Sequence, residues 1–502
     1  MRILHTSDWH LGRTFHGRVL DDAHAVFADH LVELARTEAV DAVVVSGDVY
    51  DRAIPPTDSV RLLDETLRRL SDITRVILTP GNHDSARRLG FASDLLREGL
   101  TIRARVADVD RPIVIPGPDG GDGLYVYALP YLDPDAARET LPPLLADRLG
   151  EEPTDAARTA PEGARTAIPE TAGGHSEKAA GDPPGTASDA PARRLPRSHE
   201  AVVSGALRLV AADLAARRAA APARVPALVM SHAFVVGGLP SEESERDIRV
   251  GGVDSVPSGV FASLGGSPSA RECGGLDYVA LGHLHRPQEI RSASGAGEAD
   301  RPNGPGKAGG TGGPDHSSRS GGTGGPEAGE SDEPDESGPP QQGPRPGPRL
   351  VYSGSPLALS FSEAPFPKSS VLVALGPDGV ASLERVPAPV PHRIETVTGT
   401  MDELLSPAWD HAAGAWVRAV VRGPMPLGAT SRLRERFGQV LAIVREEDEE
   451  APRERIVVTR AADPLEVSAQ FLAEVAEREP NPAERAVLAR AYEAVLASRG
   501  GE

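Results

Sequence analysis

The amino-acid sequence predicts an α/β fold built on a parallel sheet, and three observations carry that prediction. Short apolar runs rich in Val and Ile alternate with segments of helical period over the first 80 residues. Each run stops at a Gly, Asp, Asn or His instead of fading into a polar loop. Two long stretches contain almost no large apolar side chains, so they interrupt the fold without building it.

In chain order, residues 2–6 read as a buried strand that turns away at Ser7-Asp8-Trp9-His10-Leu11-Gly12. Over residues 20–39, Val26, Phe27, Leu31 and Leu34 recur at helical spacing, and the acidic start Asp21-Asp22 suits the positive end of a helix dipole. Residues 41–45 form a strand apolar on both faces that ends in Ser46-Gly47-Asp48. A helix over about 57–70 leads to the run Val76-Ile77-Leu78, which Pro80-Gly81 turn sharply into Asn82-His83-Asp84. Strand, helix, strand, helix, strand is the pattern of a parallel sheet, whose ligands bind beyond the carboxyl ends of the strands.

A helix is expected over about 86–97, then short strands near 113–115 and 124–128. Residues 151–197, mostly Ala, Pro, Gly, Thr and Glu, read as a disordered insertion that carries His175 as a bystander. Order resumes with a helix over 200–219 and strands at 227–230 and 276–281. A second insertion, 292–348, is rich in Gly and Pro, lacks aromatic residues and carries His316. Leu350-Val351-Tyr352 restores a strand, and residues 370–375 and 381–386 read as a hairpin across Pro377-Asp378-Gly379. Beyond Pro391 a smaller α+β unit is expected, with strands near 415–421 and 440–444 and a helix at 431–437. Two helical patterns, 464–477 and 482–498, then offer an apolar face through Leu465, Val467, Phe471, Leu472, Leu488 and Val495.

Composition narrows the functional classes. With 502 residues, 39% of them hydrophobic, the chain can fill more than one core. No run approaches the roughly 20 apolar residues of a membrane span, and Met1-Arg2-Ile3-Leu4 leads to Asp8 without a signal-peptide core, so a cytoplasmic location is expected. The single Cys273 excludes an internal disulfide and reads as an incidental thiol. A net charge of −20 argues against wrapping nucleic acid with a globally basic surface, so any DNA affinity must be local or shared with a partner.

The strand ends hold the chemistry. Asp8 and His10, spaced i, i+2, can point at one ion. Gly47 allows close approach and Asp48 can bridge two cations. Asn82 offers an amide oxygen, His83 can move a proton or stabilise charge, and Asp84 can hold His83 by accepting its N–H. His232 follows a strand in the same way, and His283 and His285 can ligate one ion or two. Singly these are turn residues and exposed histidines. Collected, Asp8, His10, Asp48, Asn82, His232, His283 and His285 make a mixed carboxylate, amide and imidazole set that suits Mn²⁺, Fe²⁺ or Zn²⁺ better than Ca²⁺. Seven ligands fill two sites. With Asp48 bridging, the expected division is Asp8, His10 and His285 on one ion and Asn82, His232 and His283 on the other. Two ions about 3.5 to 4 Å apart activate water and neutralise phosphate oxygens in an in-line attack, which points to a phosphoester hydrolase.

Asp-x-His, Gly-Asp, Gly-Asn-His-Asp, a lone His and Gly-His-x-His in this order resemble the calcineurin-type metallophosphoesterases. Ile3 to Gly12, Gly47-Asp48-Val49-Tyr50-Asp51, Ala280 to Arg286 and Tyr352-Ser353-Gly354-Ser355-Pro356-Leu357 resemble one nuclease branch of that family more closely. The resemblance implies a four-layer αββα phosphoesterase domain over residues 1–375, a smaller α+β capping domain over 376–460, and C-terminal helices over 461–502 that dock on an SMC-like ATPase. It also implies manganese-dependent cleavage of DNA. The implied modes are ATP-dependent 3′ to 5′ exonuclease action on double strands and endonuclease action on single strands and hairpins, by a homodimer within a heterotetramer. In that scheme His83 stabilises the transition state or protonates the leaving oxygen, and Asp84 orients it. Relatives outside the bacterial branch often carry a His at the place of Asp51, so Asp51 receives no catalytic role, and the two insertions have no counterpart in the pattern. Competing readings are a small-substrate phosphoesterase and a scaffold that has lost catalysis. The extra C-terminal domains disfavour the first and the complete ligand set the second.

Overall fold

The chain folds around two six-stranded sheets. The computed structural model describes residues 1–96, 98–150, 194–241, 255–290, 347–446, 468, 480–481, 483–488 and 490. The first sheet runs in the order Gly379–Pro387, Ser369–Gly376, Arg2–Thr6, Ala42–Ser46, Arg75–Thr79 and Leu100–Ile102. Its last four strands are parallel, and the hairpin Ser369–Gly376/Gly379–Pro387 adds antiparallel on one edge. The second sheet runs Gln288–Ile290, Arg349–Tyr352, Tyr278–Gly282, Ala227–His232, Asp122–Ala128 and Ile113–Pro116, with a parallel centre and antiparallel edges.

Alternation along each strand sets the layers. Ile3, Ala42, Val44 and Ile77 of the first sheet face Val126, Ala128, Leu228, Met230, Ala280 and Val351 of the second in one dry core. Leu4, Val43, Val45, Val76 and Leu78 point the other way, against Phe27, Leu31, Leu63 and Leu67 of the helices Asp21–Thr37 and Thr57–Ser71. The outer face of the second sheet packs Tyr127, Val229, Val279 and Leu281 against the helices Pro134–Leu149 and His199–Ala220. Helices, sheet, sheet and helices thus succeed one another, each interface closed by apolar side chains. No described helix is long and apolar enough to cross a membrane.

Three details depart from the sequence expectations. Residues 134–149 form a helix where none was read, because Pro142 and Pro143 inside it mask the periodicity; Asp133 caps it by accepting the N–H groups of Asp135 and Ala136. The helix expected over 86–97 stops at Leu89, where Gly90 follows, and continues only as the short 3₁₀ turn Ser93–Leu95. The boundary placed between residues 375 and 376 cuts the hairpin of the first sheet, so the smaller sheet begins only at Ile394. That sheet orders Ile394–Gly399, Trp416–Arg422 and Val440–Glu446, and packs Val397, Val417, Ala419 and Val421 against Leu433 and Phe437 of the helix Ala429–Phe437. Met1–Val421 with Pro426–Val444 forms one compact unit; Arg422–Met425 with Arg445–Glu502 forms a second, in which Arg422 pairs with Glu446 at 2.6 Å. Most of the insertions, with His175 and His316, and most of the expected C-terminal helices lie outside the described residues.

A buried polar link joins the centres of the two sheets. His5 Nδ1 lies 3.0 Å from Tyr278 Oη, and burial pushes the His5 pKa down to about 3. Below the ordinary value of 6.5 the unfolded chain takes up a proton that folded His5 refuses, so stability falls as pH drops through the window from 6.5 toward 3. His5→Asn should therefore lose less stability than the wild type on acidification. The difference in unfolding free energy between the two, from denaturant titrations in EDTA, should narrow by about 1–2 kcal/mol between pH 7.5 and pH 5.

Candidate metal centre

Every residue predicted for the site lies where a strand ends on the same side of the two sheets. Three of these turns force side-chain-bearing residues into positive φ: Asp8 at 54° and His10 at 48° in the first, Asp48 at 49° in the second, and His283 at 105° in the last. That region is sparsely populated by residues other than glycine, so the surrounding bonds must hold it. Asp8 N–H donates to the Gly47 carbonyl at 3.1 Å and His10 N–H to the Asp48 carbonyl at 3.0 Å. Asp48 Oδ1 accepts the His83 N–H and Asp8 Oδ1 accepts the His283 N–H, both at 2.9 Å. Each carboxylate thus pins the backbone of another motif, and Asp8 ties the first sheet to the second.

The side chains converge as acceptors. His285 Nδ1 donates to Glu363 Oε1 at 3.0 Å and His10 Nδ1 faces Asp51 Oδ1 at 3.5 Å, which leaves the two Nε2 lone pairs facing each other at 3.1 Å. His232 Nδ1 donates to the Ser46 carbonyl at 2.9 Å, and its Nε2 faces Asn82 Oδ1 at 2.8 Å and Asp48 Oδ2 at 3.4 Å. Asp48 Oδ2 also lies 3.6 Å from His10 Nε2 and 4.0 Å from His83 Nε2. Each of these contacts needs a proton or a cation between the facing atoms, and a set of imidazole, amide and carboxylate groups turned toward one point fits divalent metal. The donor atoms of Asp8, His10 and His285 lie within 4.8 Å of one another, as do those of Asp8, Asp48 and His232 and those of His10, Asp48 and His83.

The electrostatics agree. Burial disfavours a charged His232, yet Asp48 and Asp8 raise its pKa to about 9, so a proton takes the cation's place in the metal-free chain. Burial would raise Asp48, but His232, His10 and His83 hold it well below the usual carboxylate range. Burial and the neighbouring His232 keep His283 neutral, which leaves its ring able to ligate.

The predicted residues come together, with one change of role. The ring N–H of His83 donates from Nδ1 to the Asp51 carbonyl at 2.8 Å. Asp84, expected to hold that ring, spends its carboxylate on the backbone N–H groups of Val49, Tyr50 and Gly81 at 2.9–3.0 Å. It clamps the second turn to the third, because its short side chain ends level with those amides. His283 belongs to none of the three close donor groups, although its ring lies 5.4 Å from that of His232. Asp51, given no role from sequence, holds His83 through its carbonyl and faces His10 through its carboxylate, with Arg13 at 2.9 Å as its counter-cation. Glu363 carries no signal in the sequence. It lies 78 residues from His285 on a short 3₁₀ turn, and no spacing rule connects the two.

These features define a candidate site for divalent metal, and residues 1–152 match the family model described as calcineurin-like phosphoesterase. Along more of its length the chain is similar to proteins named as the D component of the nuclease SbcCD. It is 34% identical to that of Rhodobacter capsulatus over 302 residues, 58% of this chain and 59% of the relative, and 29% identical to that of Bacillus subtilis over 388 residues, 77% and 69% of the two chains. The chain therefore spans about three fifths of the length of the first relative and somewhat more of the second.

Close approach of the motifs depends on missing side chains. A Cβ at Gly282 would overlap the Ser46 carbonyl oxygen and lie 2.8 Å from His232 Nδ1, whereas one at Gly259 would meet nothing within 4 Å. Gly282→Ala should cost about 1–3 kcal/mol in a denaturant titration, and Gly259→Ala should be neutral or slightly stabilising.

Proposed function

We propose that this chain is the nuclease subunit of an SbcCD-type complex and hydrolyses DNA phosphodiester bonds at a two-metal centre. The observation that carries the reading is the set of buried acceptors converging from both sheets, in a chain similar to two proteins named as SbcCD nuclease subunits. Asp8, His10 and His285 would hold one ion, Asn82, His232 and His283 the other, and Asp48, with three imidazole Nε2 atoms around one oxygen, would bridge them. Mn²⁺ suits this mixed N and O set. When bound, the pair supplies charge neutralisation and an activated nucleophile. His83, its Nδ1 proton given to the Asp51 carbonyl, keeps Nε2 for a proton held or delivered at the leaving oxygen.

The remaining parts follow the same reading. The phosphoesterase domain extends through the hairpin ending at Pro387, the small sheet caps it, and the C-terminal segment docks on an SbcC-type SMC-like ATPase. With a net charge of −20, much of the affinity for double-stranded ends and hairpins comes from that partner. ATP-dependent 3′ to 5′ exonuclease action and single-strand or hairpin endonuclease action are the implied modes, in DNA repair, replication and recombination. A second copy of the chain covers Phe91 and Leu95, which are 81% and 83% exposed just beyond the Asn82-His83-Asp84 turn.

In a cleavage assay on a labelled hairpin duplex, the chain should cut only with Mn²⁺, and should extend along the duplex only with the ATPase and ATP. His83→Ala should lower the rate by about 10²–10⁴-fold. No cleavage in either setting, with bis-p-nitrophenyl phosphate still hydrolysed, would replace DNA by a small phosphodiester as the substrate. Separately, Phe91→Asp combined with Leu95→Asp should reduce the molar mass from dimer to monomer in light scattering while leaving hydrolysis of the small diester intact.

A further inference from the structure

Glu363 and Lys368 stand outside every motif of the site, yet both are almost completely buried. Glu363 Oε1 accepts the Nδ1 proton of His285 at 3.0 Å. Glu363 Oε2 accepts from the Lys368 ammonium at 2.5 Å and from the Leu359 N–H at 3.2 Å. Lys368 Nζ also donates to the His285 carbonyl at 3.0 Å and to Ser355 Oγ at 2.8 Å. One lysine therefore grips both the carboxylate that holds the His285 ring and the backbone that carries it. The turn bearing Glu363 is itself fixed: Phe361 packs on Phe15 with ring centroids 5.0 Å apart, and the Arg418 guanidinium lies over its face at 5.1 Å.

A buried ion pair far from chemistry is weak evidence for stability, since apolar residues of the same volume often serve as well. Here its placement has a second use. A histidine that gives Nδ1–H to a carboxylate has one tautomer and one ring orientation, and presents a more basic Nε2 to a cation. We propose that Glu363, backed by Lys368, is the positioning residue that holds His285 as a nitrogen donor toward one of the two ions. The inference rests on the two-metal reading of His285.

The test is a Mn²⁺ titration of the full chain, by calorimetry and by paramagnetic resonance, with its melting transition followed in parallel. In the paired variant Glu363→Leu/Lys368→Met both charges leave together, so no buried ion is stranded. It should retain the wild-type melting transition but bind one of its two Mn²⁺ ions about 10–100-fold more weakly. Glu363→Gln/Lys368→Met restores an acceptor for the ring N–H and should recover part of that loss, which a packing effect would not do. Glu363→Asp keeps the charge opposite Lys368, draws it back from His285 and should weaken the same ion, so it carries the test should the paired variant not fold. Wild-type affinity for both ions in Glu363→Asp or in the Leu pair, or equal loss in the Leu and Gln pairs, would overturn the inference and leave the metal centre standing. A wild-type chain that takes up no Mn²⁺ would overturn the metal centre itself.

Discussion

The structure depends on an electrostatic conflict. Two buried carboxylates, an amide oxygen and several imidazole nitrogens converge with their lone pairs inward, and their N–H groups are already committed to carbonyls and carboxylates outside the cluster. Such an arrangement is costly until positive charge enters it. Without metal the chain answers with protons, as the raised His232 shows. A divalent ion answers better, because it satisfies several donors at once and ties together loops that come from both sheets.

The backbone shares the burden. Asp8, His10, Asp48 and His283 hold positive φ, and the bonds that keep them there run between motifs instead of within them. Asp84 fits the same logic: three amides on one carboxylate fix the turns that carry Asp48 and His83. Burial and the adjacent Asp48 charge nevertheless raise its pKa to about 6, against the lowering effect of those amides. Strain, close glycine contacts and crowded charge occupy the same few residues, and the dry layers on either side keep them in place.

Much of this was legible in the sequence, for identifiable reasons. Buried parallel strands are apolar on both faces and stop abruptly, so Arg2–Thr6, Ala42–Ser46, Arg75–Thr79 and Tyr278–Gly282 stood out and marked Asp8, Asp48, Asn82 and His283 as strand-end residues. Contacts set by tertiary placement left no such trace. The Glu363 carboxylate reaches His285 across 78 residues, and Asp51 acts on His83 through a carbonyl that every residue possesses. The helix Pro134–Leu149 was hidden by Pro142 and Pro143, and the role assigned to Asp84 followed from adjacency in sequence where direction in space decided otherwise.

The strands Gln288–Ile290 and Arg349–Tyr352 are antiparallel neighbours, with Ile290 opposite Leu350, so the chain leaves and re-enters the sheet at adjacent points. Tyr352 leads into the Ser353 that bonds Ser7 beside Asp8, while the opening between Ile290 and Arg349 lies at the other end of those strands. The entropy of closing a loop grows only with the logarithm of its length, so lengthening a tight connection there to more than fifty residues costs about 2 kcal/mol. The ends of that opening, Ile290 and Arg349, are therefore a remote port of the fold, where a connection of any length meets the sheet away from the Asp8 turn.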